Sequence, residues 1–274
     1  MSASAGPHPG VGILGAGRAG TALARALQRA GIPAWIASTR SPTSMRFHLA
    51  QYAPRATAVA AEQIGQQTGG SGPGRPDGLS IVVLMVPQED LDGVDPGWLD
   101  GVLLVDATNR WEDEPLPDWF EDSLQAGLSS SEAIAARFPG STVVKTLNHL
   151  SHWDLDGGGQ RVQPRLQPVS GDPANMGLEL GGAADSAPPT SSHTVPHQRR
   201  ALGIASDDGP AAARMAHLID ALGFDPVVLR SLRAGVVLEP GGPVFNRSWT
   251  AGELADLAER SGIEPSADGT AQDR

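Results

Sequence analysis

Residues Val11 to Arg40 read VGILGAGRAGTALARALQRAGIPAWIASTR. The apolar run Val11–Leu14 meets Gly15-Ala16-Gly17-Arg18-Ala19-Gly20 directly. An Ala/Leu-rich segment follows as far as Gly31, and a second apolar run, Ala34–Ala37, stops at Ser38-Thr39-Arg40. This order predicts strand, glycine turn, helix and strand, the setting in which G-x-G-x-x-G marks a dinucleotide phosphate site. Each glycine has its own task. Gly15 permits the tight turn, Gly17 removes a side chain that would block a pyrophosphate, and Gly20 lets the helix approach the strand. The helix then presents free N–H groups and the positive end of its dipole to phosphate.

The end of the second run selects the nucleotide. NAD sites place an acidic residue about 20 residues beyond the glycines to hold the ribose 2′-hydroxyl. No Asp or Glu lies between Val11 and Met45; Ser38, Thr39 and Arg40 occupy the position. Two hydroxyls and a guanidinium suit a 2′-phosphate that a carboxylate would repel, so NADP(H) is expected rather than NAD(H).

With 274 residues the chain can form one large domain or two modest ones. Aromatics make up only 4%, which predicts an aliphatic, Ala-rich core. The 34 Gly and 23 Pro predict long loops. Two segments fit that description: Gly69 to Gly78 (GGSGPGRPDG), and Asp156 to Arg199, which is rich in Gly, Pro, Ser and Gln. Met1–Pro9 reads as a loose leader and Ile263–Arg274 as a frayed tail. The absence of cysteine excludes disulfides, thiolate metal sites and cysteine nucleophiles. A formal net charge of −11 argues against nonspecific nucleic-acid binding. No apolar run approaches a membrane span, and MSASAGPHPG lacks the basic region and apolar core of a secretory signal. A cytoplasmic protein without membrane or nucleic-acid partners is expected. The histidine spacings do not suggest a metal site.

Further along, Thr57–Ala60 reads as a minor strand. Ser80–Val86, Val102–Val105, Ser141–Thr146 and Arg200–Ala205 read as buried strands, with Pro226–Leu229 as the last. Helices are expected over Arg18–Ala30 and Met45–Tyr52. Others should follow Ser129, which has Glu132 at capping-box spacing, Asp207 or Asp208, and Thr250, which is paired with Glu253. The stretch Arg110–Leu128 is acidic and carries Trp111 and Trp119. Ligands bind at the carboxyl ends of parallel strands, which draws attention to Asn109 and to Lys145-x-x-Asn148. Lys145 is the only lysine.

The opening motif, VVLMVP, VDATN, FPGSTVVKTLNHL, ALGIASDDGPAAARMAHLIDALGFDPVVL and LEPGGPVFN occur in this order. Together they resemble the NADPH-dependent reductases of coenzyme F420, the 8-hydroxy-5-deazaflavin, and the related cytosolic domains of membrane ferric reductases. The resemblance implies an α/β fold: a Rossmann doubly wound parallel sheet with a smaller C-terminal α/β portion. The expected division is an NADP-binding domain over 1–155, a Gly/Pro-rich insertion over 156–199, and a C-terminal portion over 200–274 that completes the substrate cleft.

By the same resemblance, Gly15, Ala16, Gly17 and Arg18 would meet the pyrophosphate, with Ala19 and Gly20 completing the motif. Ser38, Thr39 and Arg40 would meet the 2′-phosphate, and Val86 and Pro87 would border the nicotinamide. Lys145, Asn148 and His149 would lie near the reacting rings. Glu239, Pro240, Gly241 and Gly242 would form a loop near the second ligand. The implied function is hydride transfer between NADP(H) and coenzyme F420 in a homodimer. The alternatives are reduction of another small acceptor (a flavin, imine or carbonyl) and a non-catalytic NADP-sensing protein.

Overall fold

Each run expected to be a strand yields one in the computed structural model, which describes residues 10–65, 81–111, 115–159 and 199–260. The strands are β1 (Val11–Leu14), β2 (Ala34–Ala37), β3 (Thr57–Ala58), β4 (Ile81–Leu84), β5 (Leu103–Asp106), β6 (Thr142–Lys145), β7 (Ala201–Ala205) and β8 (Asp225–Leu229). Neighbouring residues on the inner strands face opposite sides of the sheet, and both sides are covered. Ile13, Val83 and Val105 enter one apolar cluster, whereas Leu14, Val82, Leu84 and Leu104 enter another. Burial on both faces is why these strands read as unbroken apolar runs rather than alternating ones.

One sheet contains all eight strands, in the order β3-β2-β1-β4-β5-β6-β7-β8. The first six are mutually parallel. Their order, 3-2-1-4-5-6, is that of a doubly wound Rossmann sheet, as expected. At β6 the direction reverses: β7 is antiparallel to β6 and pairs through a single register position, Lys145 opposite Ala205. β8 then runs parallel to β7.

The helices are α1 (Arg18–Arg29), α2 (Pro42–Tyr52), α3 (Asp118–Gln125), α4 (Ser130–Arg137), α5 (His152–Gly157), α6 (Gly209–Ala221) and α7 (Ala251–Arg260). On one side of the sheet, Leu23 and Leu27 of α1 and Met215 and Ile219 of α6 join Ile13 and Val105 in the core. Phe120 of α3 and Ile134 of α4 cover the other side. Leu254 and Ala258 of α7 pack on β7 and β8.

The capping boxes form as their spacing predicts. The Ser129 hydroxyl accepts from the Glu132 N–H while Glu132 accepts from Ser129 N–H, and Thr250 and Glu253 are reciprocally bonded in the same way. The two neighbouring aspartates divide their work. Asp208 caps α6 by accepting from Ala211 N–H, and Asp207 accepts from Leu232 N–H. Helix α2 begins three residues earlier than its apolar residues indicate, because Ser41 caps it and Pro42 is at home in a first turn. Helices α3 and α5 and the 3-10 turns at Gln88–Gly93, Pro96–Leu99 and Leu232–Leu238 are additions to the sequence reading. The expectations for Met1–Pro9, Gly69–Gly78, most of 156–199 and Ile263–Arg274 fall outside the described residues. Among the described residues no helix is long and apolar enough to cross a membrane.

Candidate active site

A cleft of about 1090 Å3 opens at the carboxyl ends of β1, β2, β4 and β5. Every residue expected to hold the nucleotide lines it: Gly15, Ala16, Gly17, Arg18, Ala19 and Gly20 from the first turn, Ser38, Thr39 and Arg40 after β2, Val86 and Pro87 after β4, and Asn109 after β5. The glycines have the geometry their tasks require. Gly15 has φ +122°, and a Cβ there would lie 2.3 Å from the Met85 carbonyl oxygen. A Cβ on Gly20 would lie 1.9 Å from the Gly15 carbonyl oxygen and 3.3 Å from Ile13 Cγ2, so only glycine permits this approach of α1 to β1. At Gly17 a Cβ would meet nothing within 4 Å, so a side chain there would enter the open cleft. Gly17 is also the N-cap of α1 and supplies no side-chain cap, and no acidic residue sits in the first turn. The arrangement therefore fits an anionic pyrophosphate.

The loop after β2 is organised by its own hydroxyls. Ser38 Oγ accepts from Arg40 N–H at 3.1 Å and lies 3.0 Å from Met45 Sδ. Ser41 and Pro42, at the N-terminus of α2, also line the cleft. A second helix end thus lies beside Arg40, adding favourable potential for a phosphate. His48, one turn from the end of α2, donates from Nε2 to the Ala16 carbonyl at 3.0 Å and ties this helix to the glycine turn. Nothing in the spacing of His48 announces this contact.

The residues expected beside the reacting rings lie behind the cleft wall. Lys145 is fully buried. Its Nζ donates to Asp106 Oδ2 at 3.0 Å and to the Thr108 carbonyl at 2.9 Å, with Glu239 Oε1 at 3.6 Å. Asp106 is saturated: Oδ1 accepts from the backbone N–H and hydroxyl of Thr108, and Oδ2 accepts from the Ser131 hydroxyl as well as Lys145. Ser130 donates to Glu239, closing the network against α4.

Asn148 and His149 are buried in a second chain of bonds. Gly203 N–H approaches His149 Nε2 at 3.4 Å, and Asn148 Oδ1 is 3.4 Å from Nδ1. These partners suit the neutral ring with its proton on Nδ1. Asn148 Nδ2 donates to the Leu238 carbonyl and to Asn109 Oδ1, and Asn109 returns a bond to the Asn148 carbonyl. Burial, helped by the nearby charges of Arg200 and Lys145, lowers the His149 pKa to about 3.

Neither Lys145, Asn148 and His149 nor Glu239, Pro240, Gly241 and Gly242 line the cleft. Their connection to it runs through Thr108 and Asn109, which do. The Glu239–Gly242 turn is tight, with Gly241 at φ +83°, and a Cβ on Gly242 would lie 2.5 Å from the Val237 carbonyl oxygen. Trp111, Leu150, Ser151 and His152 line the cleft without having been singled out as ligand contacts in the sequence. Trp111 and Leu150 sit in irregular loops beyond β5 and β6, and Ser151 and His152 open the six-residue helix α5, where no period reveals orientation.

The sheet order and the cleft define a Rossmann-type protein with a dinucleotide site at its topological switch point. Residues 10–110 match the family model described as NADP oxidoreductase, coenzyme F420-dependent. The chain is an NADP-dependent oxidoreductase, as the resemblance implied. Among solved structures it is similar to a hypothetical protein from Sinorhizobium meliloti, with 24% identity, TM-score 0.61, and coverage of 89% of this chain and 96% of that one. It is also similar to a putative F420-dependent NADP reductase from an Arthrobacter species, with 21% identity, TM-score 0.55, and coverage of 89% and 100%. These likenesses establish the shared fold. No curated protein sequence matches the chain.

Proposed function

We propose that the protein transfers a hydride between NADP(H) and the deazaflavin coenzyme F420. The observation that carries this reading is the single cleft running from Arg40 to Asn109 and lined by all twelve residues expected for NADP, within the span matched by the F420-dependent family model. When bound, NADPH supplies the hydride from carbon 4 of its nicotinamide. The protein binds and orients. Gly15 to Gly20 and the N-terminus of α1 hold the pyrophosphate, and Ser38, Thr39 and Arg40 hold the 2′-phosphate. Val86 and Pro87 border the nicotinamide. Lys145 fixes the Thr108 carbonyl and the Asn148–His149 chain fixes the Asn109 amide, so these groups act on the cleft floor from behind. The turn at Glu239–Gly242 joins the same network through Lys145 and Ser130, linking the C-terminal portion to the floor.

The decisive experiment is a titration of the protein with NADPH and oxidised coenzyme F420, followed by absorbance. Joint loss of the nicotinamide and deazaflavin bands supports the reading. Oxidation of NADPH by a flavin, imine or carbonyl but not by F420 would replace the acceptor. Tight NADP binding without turnover of any acceptor would favour a sensing protein. Arg40→Ala is expected to weaken NADPH binding about ten- to hundredfold while leaving NADH affinity unchanged, as loss of charge-assisted bonds of about 1.5–3 kcal/mol requires. Calorimetric titration with both nucleotides reads this directly, and equal losses for the two would remove Arg40 from the 2′-phosphate.

A further inference from the structure

Six large hydrophobic side chains stand exposed among the described residues: Phe47, Tyr52, Trp111, Leu128, Trp153 and Val236. Of these, Trp111 is the one that lines the cleft. It is 45% exposed and lies two residues beyond Asn109, past the carboxyl end of β5. In the sheet order β2-β1-β4-β5 this strand is the one farthest from β2, which leads to Arg40, and Val86, Pro87 and Asn109 follow β4 and β5 on that side. We propose that Trp111 is the platform on which the planar ring of the hydride acceptor stacks, and that Phe245 is its brace.

The brace is visible in the geometry. The Phe245 ring meets Trp111 edge-on, with centroids 5.8 Å apart and planes at 80°. This is a preferred aromatic arrangement, and it secures one side of the indole without covering all of it. Phe245 is itself held on both sides. The buried Val244 donates its N–H to the Val237 carbonyl at 3.1 Å, and Asn246 donates to the His149 carbonyl at 3.1 Å. The loop that carries the brace is therefore anchored to the buried chain that orients Asn109. Leu150, Ser151 and His152, following β6, line the same cleft and supply further wall.

A tryptophan that keeps nearly half its surface in water leaves a flat apolar face unburied beside the reacting end. Pockets convert such faces into affinity by covering them with ligand. The indole face is flat and apolar, so it favours a flat conjugated ring over an aliphatic acceptor. It also costs little entropy on binding, because only two side-chain torsions need to be fixed. The proposal rests on the NADP cleft and a planar acceptor, and it names the residue that would discriminate among acceptors.

The test compares wild type, Trp111→Ala, Trp111→Phe and Phe245→Ala, each checked for a wild-type thermal midpoint. Calorimetry gives the affinity for NADPH. The intrinsic fluorescence of oxidised F420, titrated against the NADP+-loaded protein, gives affinity for the acceptor, and steady-state assays give KM and kcat. Trp111→Ala should raise the F420 dissociation constant and KM about tenfold (about 1.4 kcal/mol), with NADPH affinity unchanged. Trp111→Phe should recover most of the loss, and Phe245→Ala should show a smaller loss of the same kind. An unchanged F420 affinity in Trp111→Ala overturns the platform, as does an equal loss for NADPH. Binding of F420 by wild type without reduction overturns the hydride-transfer reading alone, and the platform is then judged on the binding constants. Absence of F420 binding to wild type overturns both.

Discussion

At the scale of single residues the glycine turn separates two requirements that one motif combines. Gly20 is demanded by the protein, since its Cβ would collide with the Gly15 carbonyl. Gly17 is demanded by the ligand, since its Cβ would meet no protein atom within 4 Å. Gly20→Ala is therefore expected to cost about 1–3 kcal/mol of stability, the usual range for overpacking. Gly17→Val should cost at most about 1 kcal/mol of stability, through the poorer N-cap, and weaken NADPH binding at least about tenfold, a loss of about 1.4 kcal/mol. Thermal unfolding and calorimetry on the same two variants check the pair. The opposite pattern, an unstable Gly17→Val or a stable Gly20→Ala, would show that the motif is read wrongly. This part of the site was legible because glycine's role is a backbone requirement, fixed by position along the chain. The place of Arg40 in the cleft was legible for a similar reason, since the end of the second strand is a counted distance from the glycines.

At the scale of elements, Lys145 ties three segments together: the end of β6 on which it sits, the Asp106–Thr108 turn after β5, and Glu239 after the last 3-10 turn. Removing the cation alone strands a buried carboxylate. Lys145→Met is expected to destabilise the fold by about 3–5 kcal/mol, the cost of breaking a buried pair from one side. Adding Asp106→Asn should restore part of that loss, because the unpaired charge is gone. Urea denaturation of the two single variants and the double variant measures the coupling. Additive losses would mean that the two side chains do not interact as their 3.0 Å separation requires.

The sequence placed Lys145, Asn148 and His149 correctly at a strand end, but it could not show that their side chains turn inward. A run such as STVVKTLNHL has buried residues on both faces, so alternation carries no sign of which face meets the ligand. The missed helices have comparable causes. Helix α3 lies in an acidic stretch with one fully buried apolar side chain, Phe120, and α5 is six residues long. The turn Leu232–Leu238 is largely apolar and short, and its 3-10 form is set by Ser231 capping at Ala234 N–H rather than by any period.

At the scale of the whole molecule, the buried His149 makes stability depend on pH. Its native pKa of about 3 lies below the 6.5 of an ordinary histidine. As pH falls below about 6.5 the unfolded chain takes up a proton that the native ring refuses, so stability drops. The contribution is complete above that value and declines by up to about 1.4 kcal/mol per pH unit until the native ring titrates. His149→Asn should flatten the dependence between pH 6 and 4.5. The carboxylate of Asp156, held below its usual range mainly by its bond to Arg25, contributes only at lower pH. Unfolding midpoints at several pH values compare the two proteins. Parallel slopes would mean that His149 is not the source.

The reversal of direction at β6 and β7 has an effect on how the C-terminal unit can change over time. With only Lys145 opposite Ala205 in register, this seam is stitched mainly by side chains. Thr146 donates its hydroxyl to the Gly203 carbonyl at 2.7 Å, Ser206 donates to the Val143 carbonyl at 3.2 Å, and His149 accepts from Gly203 N–H. A backbone ladder holds whatever residues it contains, whereas these stitches depend on residue identity. Point substitutions at Thr146 or Ser206 therefore bear on how firmly β7 is held against β6, while the backbone pairing of the six parallel strands is untouched. The joint is thus held by residues that substitution can change, whereas the nucleotide half is held by ladders that it cannot.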